Sequence, residues 1–286
     1  MADKIFIGGH RGMGCTDHAE YAHRDLEKLP VENTVASVAQ AFDSGADYVE
    51  IDAVMSADDV IFTLHNVVPQ DHFFGESIPP KNLNLMRFDE IKSYRTGRTQ
   101  KGRITPFSEM LDTIAMYDPK TLPWAVNIEI KGIQGSKQPY EKNGFIATLA
   151  ETVQKSNLLE ERVLFSSFSM ANILAMSHLM PNARYGMLFG ERAETAPIYS
   201  DHHEDLRYHY LDFSDSTIDV VLDTWKKEAN SRAHLAYVHP ETDTITLDLI
   251  KSVSRHGLGI NAWSLFEKMT ADRRARYDRL AENAAA

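Results

Sequence analysis

Two hydrophobic rhythms alternate along this chain. Short apolar runs, β-branched or aromatic and bounded by polar residues, Gly or Pro, occur at residues 4–8, 47–53, 60–65, 125–131, 163–168, 184–189, 234–239 and 258–263. Runs of that length and make-up predict strands. Between most of them the period lengthens to that of a helix. Residues 32–44 begin behind Pro30 and stop at Gly45, while 143–157, 169–180, 215–230 and 246–256 carry apolar stripes at helical spacing.

Strands that alternate with helices predict a parallel sheet. Eight of them in 286 residues predict a (β/α)8 TIM-like barrel, closed and formed as one domain over 1–286. The second unit breaks the rule. Only a handful of residues part the second and third runs, whereas a parallel crossover needs a dozen or more. The second helix is therefore expected to be absent and the barrel irregular there. Residues 66–105, rich in Pro, Phe and Asn, show no helical period and read as an excursion over the C-terminal face of the barrel. Residues 190–214, with Asp201, His202, His203 and His209, read as a second irregular stretch whose histidines are exposed.

Composition changes this picture little. With 43% hydrophobic and 25% charged residues the chain falls among ordinary globular proteins. A net charge of −11 speaks against a nucleic-acid partner, which needs clustered Lys and Arg, yet leaves room for a small phosphate-bearing molecule at a locally cationic site. The single cysteine, Cys15, can form no internal disulfide and gives no support for an oxidising compartment. No stretch approaches the roughly 20 apolar residues of a membrane span, and the apolar run at the N-terminus is too short for a signal-peptide core. The expectation is a cytoplasmic protein.

The chemistry is expected at the C-terminal ends of the strands. Those ends carry His10 and Arg11, Glu50 and Asp52, His65, Glu129 and Lys131, Ser167, and Trp263. A spacing of two puts Glu50 and Asp52 on one face of a strand, and likewise Glu129 and Lys131. If strands two, three and four are neighbours, three carboxylates, a histidine and a lysine converge beside His10 and Arg11. Three adjacent carboxylates repel one another unless a hard divalent cation with oxygen ligands holds them. Arg11 and Lys131 suit a phosphate, and two histidines suit general acid and base on opposite sides of phosphorus. Each residue also has a plainer reading. The Glu50/Asp52 pair could be a solvated strand edge, Glu129 and Lys131 a structural ion pair, His10 a cap, His65 a buried histidine and Trp263 core. The convergence of the set, rather than any single member, favours the metal and phosphate reading.

Taken in order, the motifs resemble one family. GHRGMG at 9–14, PVENT at 30–34, GADYVEID at 45–52, VIFTLH at 60–65, ITPFSEML at 104–111, NIEIKG at 127–132, SSF at 166–168 and NAWS at 261–264 are similar to the motif series of glycerophosphodiester phosphodiesterases. The resemblance spans nearly the whole chain. It implies metal-dependent hydrolysis of a small phosphodiester, with His10 and His65 as the catalytic pair and Glu50, Asp52 and Glu129 around one Ca²⁺ or Mg²⁺. It further implies that Arg11 and Lys131 touch the phosphate, that Trp263 and Ser167 line the substrate pocket, and that Glu32 and Asn33 brace the His10 loop. Three departures stand out. Asn66 follows His65 where the family places aspartate, Trp263 precedes Ser264, Leu265 and Phe266 rather than the usual Thr-Val-Asn, and the stretch after the first motif is long and carries His18 and His23. The changes around Trp263 motivate a second reading within the same chemistry, a sugar phosphodiester of the agrocinopine type, with Asn82, Asn84, Arg87, Arg98, Asp201, His202 and His203 as candidate hydroxyl partners.

Overall fold

A computed structural model describes residues 6–16, 28–75, 78–117, 122–131, 144–190 and 214–263. Strands β1 (Gly8–Gly9), β2 (Tyr48–Met55), β6 (Val126–Ile130), β7 (Val163–Ser167), β8 (Arg184–Phe189), β9 (His234–Pro240) and β10 (Gly259–Ile260) pair in that order, every contact parallel. Central strands covered on both faces read as continuous apolar runs, and β2 and β7 are buried along almost their whole length. The sheet curls. Tyr48, near its first edge, hydrogen-bonds Asn261, just past its last strand, at 2.6 Å. Trp124, at the foot of β6, meets Tyr237 of β9 across the interior with ring centroids 5.6 Å apart.

Helices α1 (Val35–Asp43), α3 (Phe107–Tyr117), α4 (Phe145–Gln154), α5 (Met170–Leu179), α6 (Asp215–Glu228) and α7 (Leu247–Arg255) alternate with these strands. Four of them start behind a Ser or Thr whose hydroxyl accepts a backbone N–H of the first turn: Thr34, Ser169, Ser214 and Thr246. Among the described residues no helix is long and apolar enough to cross a membrane.

Four expectations need correction. The run at 60–65 is not a third parallel strand. As β3 (Ile61–Thr63) it folds back antiparallel on the end of β2, because the turn from Ser56 to Val60 is far too short for a crossover. The charged strands β2 and β6 are thereby direct neighbours. The first helix begins at Val35 rather than residue 32, since Asn33 lies in the left-handed region at φ 55° and Thr34 is the extended cap. The excursion is ordered. It contains the short helix α2 (Phe88–Ile91), a hairpin of β4 (Arg95–Thr96) and β5 (Gly102–Arg103), and a core of its own built on Phe62, Leu64, Phe73, Leu83, Met86, Ile91 and Ile104. No hydrogen bonds join β1 to β10 among the described residues, so the parallel strands form a curled, barrel-like sheet rather than the closed ring expected.

Candidate active site

The site grows from the pairing of β2 with β6. Glu50 is the register partner of Asn127 and Asp52 that of Glu129, which puts all four side chains on the interior face. Glu50, Asp52 and Glu129 are buried, and each offers a carboxylate oxygen within 4.8 Å of the others. The apolar residues between them, Val49, Ile51 and Ile128, face the helices in the main core.

Two cations close on this cluster. Lys131 Nζ lies 2.7 Å from Glu129 Oε1 and 3.2 Å from Asp52 Oδ1. Arg11 reaches it from the turn after β1. Its guanidinium donates to both oxygens of Glu32 at 3.1 and 3.2 Å, its Nε stands 3.5 Å from Asp52, and its backbone N–H donates to Glu50 Oε2 at 2.8 Å. The turn is tight and left-handed, with Arg11 at φ 52° and Gly12 at φ 73°. A side chain at Gly12 would run into the backbone of Ser37, its Cβ 2.5 Å from the carbonyl carbon. Asn33 ties the loop down. Its N–H donates to the Arg11 carbonyl at 3.0 Å, while its amide donates to Asp52 Oδ2 at 2.7 Å and accepts the Asp52 N–H at 3.1 Å.

The electrostatics are uneven. Burial and the neighbouring carboxylates of Asp52 and Glu129 push the Glu50 carboxyl well above its ordinary range, against the pull of Arg11. Burial likewise raises Glu129 despite Lys131. Burial would raise Asp52 too, but Lys131, His65, Arg11 and Asn33 outweigh it and hold that carboxyl below the usual range. Glu50 Oε1 is buried with no hydrogen-bond partner among the described residues. Counting Glu32, four carboxylates face two fixed cations, which leaves two negative charges when all are ionised. An all-oxygen donor set with a net charge of that size fits one hard divalent cation.

The histidines flank the cluster. His10 Nε2 stands 3.9 Å from Glu50 Oε2, with its side chain 32% exposed. His65 is half-buried. Burial, then Lys131 and Arg11, lower its pKa well below the ordinary value, and Asp52 only partly restores it. Asn66, which replaces an expected aspartate, is the hub of a small network. Its amide donates to Asp71 Oδ2 at 2.7 Å, and its carbonyl oxygen takes the Val68 N–H at 2.8 Å and faces His72 Nε2 at 3.2 Å. The carboxylate in this network is therefore Asp71, five residues after Asn66, held on the Asn66 amide. Trp263 is fixed by its indole N–H, which donates to the carbonyls of His239 and Phe189 at 2.9 and 3.2 Å, and its ring meets Phe168 edge to face.

Ser167 is not brought to the cluster. Its hydroxyl donates to the Ile130 carbonyl at 2.8 Å and receives the Ser169 N–H at 3.1 Å, while its neighbour Ser166 is the residue in register with Glu129. Of the candidates on the excursion, Arg87 is engaged with Asp58 at 3.4 Å and Arg98 lies over the Phe74 ring. His18, His23, Asp201, His202, His203, His209 and the residues after Trp263 lie outside the described residues.

Comparison with known proteins converges on one family. The model of the glycerophosphoryl diester phosphodiesterase family matches residues 10–281. A glycerophosphodiester phosphodiesterase of Caldanaerobacter subterraneus subsp. tengcongensis is 29% identical over 174 residues, a match covering 59% of this chain and 65% of that protein. The chain thus spans just under two thirds of that relative's length. Among solved structures, an Oleispira antarctica phosphodiesterase in complex with the product sn-glycerol-3-phosphate superposes with a TM-score of 0.64 at 16% identity, covering 96% of this chain and 90% of the other. A glycerophosphodiester phosphodiesterase of Parabacteroides distasonis gives 0.63 at 15% identity, covering 98% and 89%. At such identities the structural likeness speaks for the fold, and the family match speaks for descent: this chain belongs to the glycerophosphoryl diester phosphodiesterase family.

Proposed function

We propose that this protein hydrolyses a small glycerophosphodiester to an alcohol and a phosphomonoester, within one domain and with one divalent cation, Ca²⁺ or Mg²⁺. The observation that carries the reading is the buried cluster of Glu50, Asp52 and Glu129, with Arg11 and Lys131 against it and a histidine on either flank. Family membership and the relative named a glycerophosphodiester phosphodiesterase support it.

Glu50, Asp52 and Glu129 would hold the cation, which when bound supplies electrophilic stabilisation of charge on the phosphoryl oxygens. The remaining work falls to the chain's own groups. Arg11 and Lys131 present fixed positive charge to the phosphate, in a buried setting where such charge counts for more than in water. His65, kept neutral by burial and the two cations, is suited to take a proton from the attacking water. His10, on the more open side, is left to protonate the departing alcohol. Asn33 and Glu32 hold the Arg11 turn, so the phosphate meets an organised surface. Trp263 and Phe168 would form the wall against which the rest of the substrate lies. The described residues of the excursion favour no sugar phosphodiester over a glycerol one.

The test is a panel of phosphodiesters, glycerol-based and sugar-based, followed by phosphorus NMR with Mg²⁺ or Ca²⁺ present. The expected result is conversion of a glycerophosphodiester resonance to a phosphomonoester, lost in excess chelator. No monoester from any glycerol-based diester under either metal would overturn the reading.

A further inference from the structure

Beside the carboxylates the interior face carries a second polar patch. Asn127 Oδ1, Ser166 Oγ and His239 Nε2 have no hydrogen-bond partner among the described residues, and their side chains are 3%, 0% and 2% exposed respectively as residues. Buried polar atoms are nearly always satisfied, by protein or by ordered water. Asn127 on β6 and Ser166 on β7 lie on neighbouring strands, diagonal to one another on the same face. Ser166 is in turn the register partner of Gly186 on β8. His239 arrives from β9, on the far side of β8, and its ring lies across that glycine. A Cβ at position 186 would stand 2.2 Å from His239 Nε2. The register of β8 against β9 slips between Tyr185 and Gly186, at the place the ring crosses. A bulge of this kind commonly re-aims a side chain.

The hydrogens on this patch can be counted. The Tyr48 hydroxyl donates to Asn261 Oδ1 at 2.6 Å, which turns the Asn261 amide nitrogen toward His239 Nδ1 at 3.4 Å. Nδ1 is therefore the acceptor, and the proton of a neutral imidazole sits on Nε2. Burial takes the His239 pKa down to about 3, so the ring is neutral at ordinary pH. The patch thus holds one N–H donor, one carbonyl acceptor and one hydroxyl that can do either. A polar, sealed site with three complementary partners is what an internal water requires.

We infer that the interior of the barrel holds one buried water, which accepts from His239 Nε2–H and bonds Asn127 Oδ1 and Ser166 Oγ. The water completes a hydrogen-bond chain that starts at Tyr48 and passes through Asn261 and His239. It links that chain to the level of the carboxylates, because Asn127 is in register with Glu50 and Ser166 with Glu129. The site uses no residue assigned to the reaction and stands independently of the phosphodiesterase reading.

The test combines a crystal structure of the full chain, at a resolution that orders solvent, with thermal unfolding of Ser166→Ala. The expected density peak lies within about 3.2 Å of His239 Nε2 and of at least one of the two oxygens. The expected Tm of Ser166→Ala is lower by roughly 2–4 °C, since removing the hydroxyl takes a partner from the water. Absence of the peak in the wild-type crystal overturns the inference. So does a Ser166→Ala melt at or above wild type, the result for a hydroxyl that was merely unpaired.

Discussion

The two halves of the barrel interior are built on opposite principles. On the β2–β6 side, Glu50, Asp52, Glu129, Arg11 and Lys131 crowd together, shielded from solvent and joined by ion pairs and by the Arg11 N–H to Glu50. On the β7–β9 side the interior is neutral, with Ser166, Gly186, Leu188 and His239 below and the Phe168–Trp263 pair above. The neutral half carries no excess charge, and hydrogen bonds run through it from Tyr48 through Asn261 to His239 and from the Trp263 indole to two carbonyls. The charged half does carry an excess, since two negative charges remain after its internal pairs are formed when all four carboxylates are ionised. A buried excess of that kind is costly unless a ligand removes it. The lesson is that the charged half is the place where a cation and an anionic substrate belong, and the neutral half is the wall that positions them.

The severest way to break this contrast is to take away the cation. Exhaustive chelation is expected to abolish turnover while far-UV circular dichroism is retained, because the apolar core of the sheet and helices does not depend on the cluster. Restored metal should restore activity. Full activity after dialysis against chelator would give the carboxylates another purpose.

Next in size are the histidines. His10→Ala and His65→Ala are each expected to lower kcat by roughly 10²–10⁴-fold with the fold intact. Steady-state kinetics across pH decide it, and near wild-type kcat with an unchanged pH profile would remove the residue concerned from its role.

A third effect sharpens the neutral half. His239 takes up no proton in the folded state until about pH 3, whereas an unfolded histidine does so near 6.5. The unfolded state therefore binds more protons between those values, so stability is present at neutral pH and lost as pH falls. From pH 7 to pH 5 this single group should remove about 2 kcal/mol of unfolding free energy. Denaturant titrations of wild type and His239→Gln at both pH values test it, the variant being expected to show a shallower loss. Equal losses would mean that His239 is not held neutral.

The smallest expected change concerns the metal's own contribution to stability. Glu50 and Glu129 are raised above their ordinary values without a cation, so the metal-free fold grows less stable as pH rises above the unfolded carboxylate range near 4.3. Added Mg²⁺ or Ca²⁺ should accordingly raise Tm more at pH 8 than at pH 5. Differential scanning fluorimetry at both pH values checks the sign, and an equal or reversed shift would count against the cluster as the binding place.

Much of this was legible in the sequence because barrel strands carry their chemistry at two-residue spacing. Glu50 with Asp52, and Glu129 with Lys131, could be assigned to one face before any coordinates, and the structure does place them on one interior face. Helix starts were legible to within a few residues from their caps. The reversal of β3 was signalled by its short turn, yet the run was still read as a parallel strand, and its apolar rhythm says nothing of direction. Helix α3 went unread although Phe107, Met110, Leu111 and Ile114 recur at helical spacing behind Pro106 and are all buried. Ser166 and Ser167 illustrate a deeper limit. A one-residue shift in register exchanges inside for outside, and only the pairing with Glu129 shows which serine faces in. Tyr48, Asn127 and Asn261 lie within the motifs but had no role assigned, and His239 lies in none. Their roles come from contacts between strands far apart in the chain.

The central claim, that the charged half of the barrel is a site for one divalent cation, is tested most directly by anomalous diffraction from a Mn²⁺-soaked crystal. A single anomalous peak is predicted among the carboxylates of Glu50, Asp52 and Glu129, at about 2.0–2.6 Å from an oxygen of each. A peak elsewhere, or no peak there with Lys131 still bridging Glu129 and Asp52, would contradict it.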